Sequence, residues 1–340
     1  MNGILAIVLS AAAAFGITAI SGIGIVPWLR KLKFGQTLPE IGQKLDKNKQ
    51  NTPTMGGIIF IIGISVSAAF VLVVNYASGN ALGLTGDISA KLWSGLIMAL
   101  SFGMVGFADD YVKIVKKRNL GLTIPQKSAA QILVCAGYLS SLFLAMGRDP
   151  YMFIPFVGRI GLGFWFWPLG LCIICGTVNA VNFTDGIDGL CSGVTAAAAL
   201  SFTSICIIHK CFGVGIVAAA LLGGCAGFLI WNRHPAKVFM GNTGSMFLGG
   251  TVAAAAYALD CPLILLLTGL VYVIEGFSNV IQIGYFSLTH GKRFFKMAPI
   301  HHYFKMCGWS EKKIDFVFCT VGLIAGAAAA AVMYYGGYAG

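Results

Sequence analysis

Charge is what this sequence has least of. Asp, Glu, Lys and Arg together make up 10% of its 340 residues, and the acids number only twelve. A soluble domain carries about 25% charged residues, so an aqueous globule is excluded and most of the chain has lipid as its solvent. Alternating polar and apolar residues in strand-length segments, the mark of a membrane barrel, are missing too. In lipid the backbone must satisfy its own hydrogen bonds, which leaves helices. No repeat of 20–50 residues and no low-complexity linker appears, so a single membrane-embedded domain over 1–340 is expected. The first stretch lacks a basic leader and a cleavage site and reads as a retained helix. The net charge of +11 raises nucleic acid as a partner. That would need basic residues on a folded aqueous face with stacking aromatics, whereas here they fall in short loops between apolar runs. No nucleic acid is expected.

What is present is apolar: 57% of residues are hydrophobic, with mean hydropathy +0.83. A bilayer span takes about 20 mostly apolar residues, and ten stretches approach that, at 4–28, 55–75, 91–107, 128–146, 163–180, 190–208, 213–231, 243–259, 262–288 and 314–336. An all-α, polytopic membrane protein of about ten helices follows. The basic residues divide unevenly between alternate loops. Nineteen fall in 27–53, 108–127, 232–242 and 289–313, and four in the rest. Positive loops stay in the cytoplasm, so the first set is expected there and both termini outside. The ten cysteines lie mostly inside apolar runs, and the Cys172/Cys175 pair reads as small packing residues rather than redox or zinc chemistry. The aromatic run 164–168 reads as an outer interfacial anchor and the lone His209 as structural.

The polar chemistry collects on the expected cytoplasmic side. Asp109 and Asp110 end the third stretch, Asp185 and Asp188 precede the sixth, Asn242, Thr243 and Ser245 open the eighth, and His301 and His302 lie in the last basic loop. Adjacent carboxylates repel unless a cation holds them together. Hard oxygen ligands suit Mg²⁺, which takes one or two carboxylates plus substrate phosphate. At i and i+3, Asp185 and Asp188 share a face if helical. The glycine-rich GNTGS turn before a helix offers N–H groups as a phosphate cradle, with Lys113, Lys116, Lys117 and Lys127 near the acidic pair. Phe239 reads either as core or as a platform for a base. Glu275, inside an apolar stretch, reads either as functional or as a hydrogen-bonded packing residue.

With its motifs NTPTMGG (51–57), GFADDYVK (106–113), NAVNFTDGIDGL (179–190), VFMGNTGS (238–245) and MAPIHH (297–302), in order along the chain, the sequence resembles the phospho-N-acetylmuramoyl-pentapeptide transferases. These are a branch of the polyprenyl-phosphate N-acetylhexosamine-1-phosphate transferases. The resemblance implies Mg²⁺-dependent transfer of phospho-MurNAc-pentapeptide from UDP-MurNAc-pentapeptide to undecaprenyl phosphate, at the cytoplasmic face of a bacterial plasma membrane, releasing UMP. It implies active-site positions at Asp109, Asp110, Asn242, Lys113, Lys117, Lys127, His301 and His302, with Asp109, Asp110 and Asn242 the metal candidates. It implies donor-pocket positions at Asn182, Asp185, Asp188, Asn232 and Phe239, and further site positions at Lys49 and Thr54. The chain departs from the family pattern where Asn242 stands for Asp, Tyr303 for a third His, Lys305 for an acid and Asp46 for a His. The nearest rival is a sister enzyme using UDP-GlcNAc. A transporter would hold its acids near the midplane, and here all but Glu275 gather at one face. Whether the chain forms a homodimer is left open by the sequence.

Overall fold

The computed structural model describes residues 2–32, 52–78, 86–116 and 120–338. Lys49, Lys117 and Asp46 lie outside the described residues. All ten apolar stretches are helical, as α1 (Gly3–Lys31), α2 (Gly57–Ala77), α3 (Gly86–Val115), α4 (Ile124–Ala145), α5 (Phe166–Thr184), α6 (Leu190–Ile208), α7 (Phe212–Asn232), α8 (Gly241–Ala258), the pair α9 (Leu265–Thr268) and α10 (Leu270–Leu288), and α12 (Glu311–Tyr335). A short α11 (Ile300–Met306) precedes the last, and strands β1 (Tyr151–Ile154) and β2 (Gly158–Gly161) form a hairpin after α4. Among the described residues, eight helices are long and apolar enough to cross a membrane, and nine if a bent pair counts as one span.

Two stretches differ from simple spans. The segment expected at 262–288 breaks at Gly269, where Pro262–Thr268 and Leu270–Leu288 meet at 90°. The Gly269 N–H closes on the Leu265 carbonyl at 2.9 Å, and a side chain there would come 2.8 Å from that oxygen. The second is α8, which falls outside the eight because its first turn is Gly-Asn-Thr-Gly-Ser. It is nonetheless buried at every position but Asn242. Its flank is built from small residues. Gly250 lets α3 approach at Ala99, and Gly249 lets α5 approach at Val178.

The connections sort to two ends. At one end, Phe153 and His209 pack on Tyr338 (ring centroids 5.2 and 5.0 Å), and Phe156 N–H donates to the Gly336 carbonyl. Gly3 packs against Phe212 at the same end, so both described chain ends lie together. There Lys91 meets Asp260 at 2.5 Å, with Lys91 only 4% exposed, and the Tyr151 hydroxyl closes on the same carboxylate at 3.1 Å. Burial, with Asp260 beside it, pushes the Tyr151 phenol upward. At the other end, Arg30 reaches the Lys237 carbonyl. Residues 53–56 pair with Phe239 through Phe239 N–H to Pro53 O and Gly56 N–H to Phe239 O, both 2.8 Å. The four acidic and polar motifs all arrive at this second end.

Candidate active site

The site begins with a close approach. A methyl at Gly106 would overlap the Asn242 carbonyl, so glycine alone lets α3 lie directly on the start of α8. One turn further on, Asp109 and Asp110 face the α8 N-terminus, and both are 4% exposed. Asp110 Oδ2 accepts from the Thr243 backbone N–H and from the Thr243 hydroxyl, each at 2.9 Å. Gly241, at φ +70°, leaves the room: a side chain there would stand 2.5 Å from Asp110 Oδ2. Asp109 Oδ1 accepts the Leu122 N–H at 2.8 Å. Its Oδ2 takes the Lys113 ammonium at 2.6 Å and the Asn242 side-chain N–H. Lys113 also lies 3.5 Å from Asp110 Oδ1.

The network continues across the bundle. Asn182, in the last turn of α5, donates to Asn242 Oδ1 and to the Ser245 hydroxyl at 2.7 Å each, and its Oδ1 accepts from Lys127 at 3.3 Å. Four helix ends are thereby joined around two carboxylates. One expectation is corrected here. The GNTGS N-terminus is not open as a phosphate cradle at Thr243, because the Asp110 carboxylate already occupies that N–H. A buried acid at a helix N-terminus is favoured by the same dipole that favours phosphate.

Asp185 and Asp188 do not share a helical face, which corrects the i, i+3 expectation. Residues 185–189 form a turn between α5 and α6, with Gly189 at φ +83°. Asp188 turns away from the α3 acids to meet His234 Nδ1 at 3.1 Å and the Ala236 N–H at 3.0 Å, and Glu311 comes within 3.5 Å of the same His234 nitrogen. Asp188, His234 and Glu311 bring three potential metal ligands together, but Lys305 already sits on Glu311 at 2.6 Å. Asn232 underpins this turn: Oδ1 accepts from Gly189 N–H (3.2 Å) and Ser192 (3.3 Å), and Nδ2 donates to Val238 O. Phe239 is half-buried beside it, and Thr54 is buried against Gly241.

His301 is fully buried. Its Nδ1 lies 3.1 Å from Glu275 Oε2, and its Nε2 points at Gly186 in the turn that carries both aspartates. Glu275, read from sequence as either packing or functional, therefore holds the histidine motif. His302 lies beside His301, with ring centroids 4.2 Å apart and planes tilted by 49°. The pairing of Glu275 with His301 and the roles of His234 and Glu311 escaped the sequence reading. The one signal for Glu275 was its presence in an apolar run. A concavity of about 1050 Å³ opens between the second half of α10 and the loop before α11, lined by Gln282, Phe286, His290, Arg293 and Met297. An apolar groove of about 420 Å³ runs along the lipid flank between α5 and the α9–α10 bend and reaches Asn179 and Phe183, next to Asn182.

The profile of Glycosyl transferase family 4 matches residues 92–260, and a phospho-N-acetylmuramoyl-pentapeptide-transferase signature matches 49–61. Among the curated relatives of this chain are proteins named phospho-N-acetylmuramoyl-pentapeptide-transferase. That of Desulforamulus reducens is 42% identical over 326 residues, covering 93% of this chain and 94% of its own. That of Desulforudis audaxviator is 42% identical over 330 residues (94% and 95%), and that of Bacillus anthracis 40% over 321 residues (94% and 95%).

Proposed function

The chain belongs to the phospho-N-acetylmuramoyl-pentapeptide-transferase family, and from that premise we propose that it transfers phospho-MurNAc-pentapeptide from UDP-MurNAc-pentapeptide to undecaprenyl phosphate, releasing UMP and leaving lipid I. The observation that carries the reading is the Asp109–Asp110–Lys113–Asn242–Asn182–Lys127 network at one end of a membrane bundle. It sits where a water-soluble nucleotide and a lipid phosphate can meet. The apolar groove supplies a path for the isoprenoid chain. The concavity between α10 and the loop before α11 offers the donor's peptide both apolar and basic surface.

In this reaction an oxygen of the acceptor phosphate attacks the phosphorus that bears the sugar. The bond from that phosphorus to the UMP oxygen breaks, and UMP leaves with the electron pair. Positioning and charge neutralisation dominate such transfers. A phosphate monoester has a second pKa near 6 and is mostly dianionic at neutral pH, so it needs no base. Asp109 instead positions: its carboxylate holds Lys113 and Asn242 side by side, facing the space where the phosphates would lie. Lys113 and Lys127 offset the charge there. Asn182, Asp185, Asn232 and Phe239 form the donor pocket in this reading, with Asp188 and the His234 contact shaping the turn. Lys49 and Lys117 complete the basic set by resemblance.

For Mg²⁺ the donor chemistry fits. Asp109 Oδ2 and Asp110 Oδ1 both face the Lys113 ammonium, at 2.6 and 3.5 Å, so hard anionic oxygens converge on a cation position and would hold the ion with Lys113 drawn aside. Asn242 joins them only with its amide turned over, since its N–H end now faces Asp109. When bound, the ion would neutralise and orient the donor's diphosphate. The nineteen-to-four split of basic residues supports a cytoplasmic site with both termini outside. A cysteine introduced at Leu120 that labelled from the outside would overturn that orientation.

The deciding experiment is UMP release by the purified chain with undecaprenyl phosphate and either UDP-MurNAc-pentapeptide or UDP-GlcNAc, with and without Mg²⁺. Turnover is expected with the first donor and Mg²⁺ only. Turnover with UDP-GlcNAc alone would establish the sister activity instead.

A further inference from the structure

α4 has the smallest buried share of the eight helices able to span on their own, yet it carries Lys127 to the heart of the site. Its buried residues are Gln131, Cys135, Tyr138, Leu139 and Leu142. The apolar ones that anchor it, Tyr138 onward, lie toward the far end. From Ile124 to Val134 no apolar side chain is buried, and Gln131, 4% exposed, is the one residue that is. Apart from the partly buried Val134 at its end, apolar packing therefore contributes little to locating the half of α4 that bears the lysine.

Polar contacts locate it instead, as three rungs between α4 and α5. Lys127 donates to Asn182 Oδ1 at 3.3 Å. One turn along, Gln131 and Asn179 bond reciprocally: Gln131 Nε2 donates to Asn179 Oδ1 at 3.2 Å, and Asn179 Nδ2 donates to Gln131 Oε1 at 3.0 Å. Asn179 Nδ2 also reaches the Cys175 carbonyl of its own helix at 2.8 Å, which fixes the amide's orientation. A further turn along, the Cys135 and Cys175 sulfurs stand 3.3 Å apart. On α4 the rungs fall at i, i+4 and i+8; on α5 they fall at 182, 179 and 175, the spacing of one helix face.

We infer that the reciprocal Gln131–Asn179 pair is a positioning device that sets the register of α4 against α5, and through it the placement of Lys127 and Asn182 on the Asp109–Asn242 centre. A two-way amide pair is a demanding choice inside a bilayer, where each polar group must find its partner within the protein. It has the property apolar contact lacks. A slip of one residue along either helix breaks both bonds at once. Asn182 transmits the register, because its oxygen is tied to Lys127 and its nitrogen to Asn242 and Ser245. The inference rests on the transfer reaction proposed above for its kinetic readout, and on the thiol rung for a readout that needs no reaction.

The test uses the full chain with Gln131→Leu, Asn179→Leu, and the exchanged pair Gln131→Asn with Asn179→Gln. Each single variant is expected to lose roughly 10- to 100-fold in kcat, the scale of a misplaced site group, with KM for both substrates within about threefold. The exchanged pair is expected to recover most of the loss. In membranes, before extraction, copper(II)-phenanthroline should join Cys135 to Cys175 in the parent and the exchanged pair, as read from the linked peptides by mass spectrometry. The single variants should link several-fold less. Unchanged kcat in the single variants, a loss the exchange does not recover, or linking yields equal in all four chains would overturn the inference. If the parent turns over neither donor, the reaction assignment fails while the linking yields still decide the register.

Discussion

The α3–α8 pair carries an acid–lysine contact at each of its ends, and the two are built on opposite plans. At one end Lys91 meets Asp260 just past α8 at 2.5 Å, Tyr151 closes the second oxygen, and the β-hairpin covers the pair. One cation, one anion and one hydroxyl are all used. At the other end Asp109 and Asp110 gather Lys113, Asn242, Thr243 and the Leu122 N–H, with Lys127 and Asn182 behind them. More polar groups converge there than a helix contact requires, and glycines hold space open around them. The closed end is a fastening. The crowded end has the surplus of donors and charge that a reaction with phosphates demands.

The sharpest way to break this contrast is to neutralise one acid at each end. Asp110→Asn keeps an oxygen for Thr243 and removes the charge. Turnover is expected to fall about a thousandfold, or about 4 kcal/mol of barrier, in protein that still elutes as a folded species. Near-normal UMP release would take the acids out of the reaction. Lys91→Met at the closed end should do the reverse. It leaves Asp260 without its cation and should cost about 3 kcal/mol of stability, read as a lowered melting transition in detergent. Turnover below that transition should stay within about twofold. Adding Asp260→Leu should restore much of the stability, and a turnover loss that survived this rescue would mean that the far end is not merely a fastening.

Smaller effects sharpen the picture inside the crowded end. Phe239→Ala should weaken UDP-donor binding by about 1–3 kcal/mol, the worth of a stacked base, and leave KM for the lipid acceptor unchanged. Equal losses for both substrates would point to general loosening. Asn242→Asp should have the least effect on rate and the most telling effect on metal. A carboxylate there faces Asp109 without the present N–H donation, so the two repel until a cation joins them. Mg²⁺ binding by calorimetry is expected to tighten several-fold, about 1 kcal/mol, and the melting transition to become Mg²⁺-dependent. An unchanged binding midpoint would show that position 242 does not reach the ion.

Much of this was legible in the sequence. Hydropathy located eight spanning helices among the described residues, because a bilayer imposes length and apolarity on each one separately; α8 falls short of that measure, and 262–288 is a bent pair. The uneven loops foretold which motifs would share an end. What stayed hidden depends on partners far away in the chain. Nothing local says that Asp188 turns to His234 rather than toward Asp109, that Glu275 holds His301, or that Thr243's N–H belongs to Asp110. The 90° break at Gly269 was hidden for a different reason: apolar residues continue straight through it, and only the backbone changes direction. The i, i+3 reading of Asp185 and Asp188 failed because Gly186 and Gly189 favour a turn over a helix there.

The make-up of α8 bears on how such a chain is made. Its opening Gly-Asn-Thr-Gly-Ser is too polar for the helix to enter a bilayer comfortably on its own, and its small residues offer lipid little to hold. Yet it ends wrapped by α3 and α5, which leave the ribosome earlier. Those helices meet its body with apolar Ala99 and Val178 and its first turn with Asp110 and Asn182, so α8 is suited to insert against partners already in the membrane rather than into lipid. The residues that make the centre reactive are thus also the ones that make its central helix dependent on its elders for insertion.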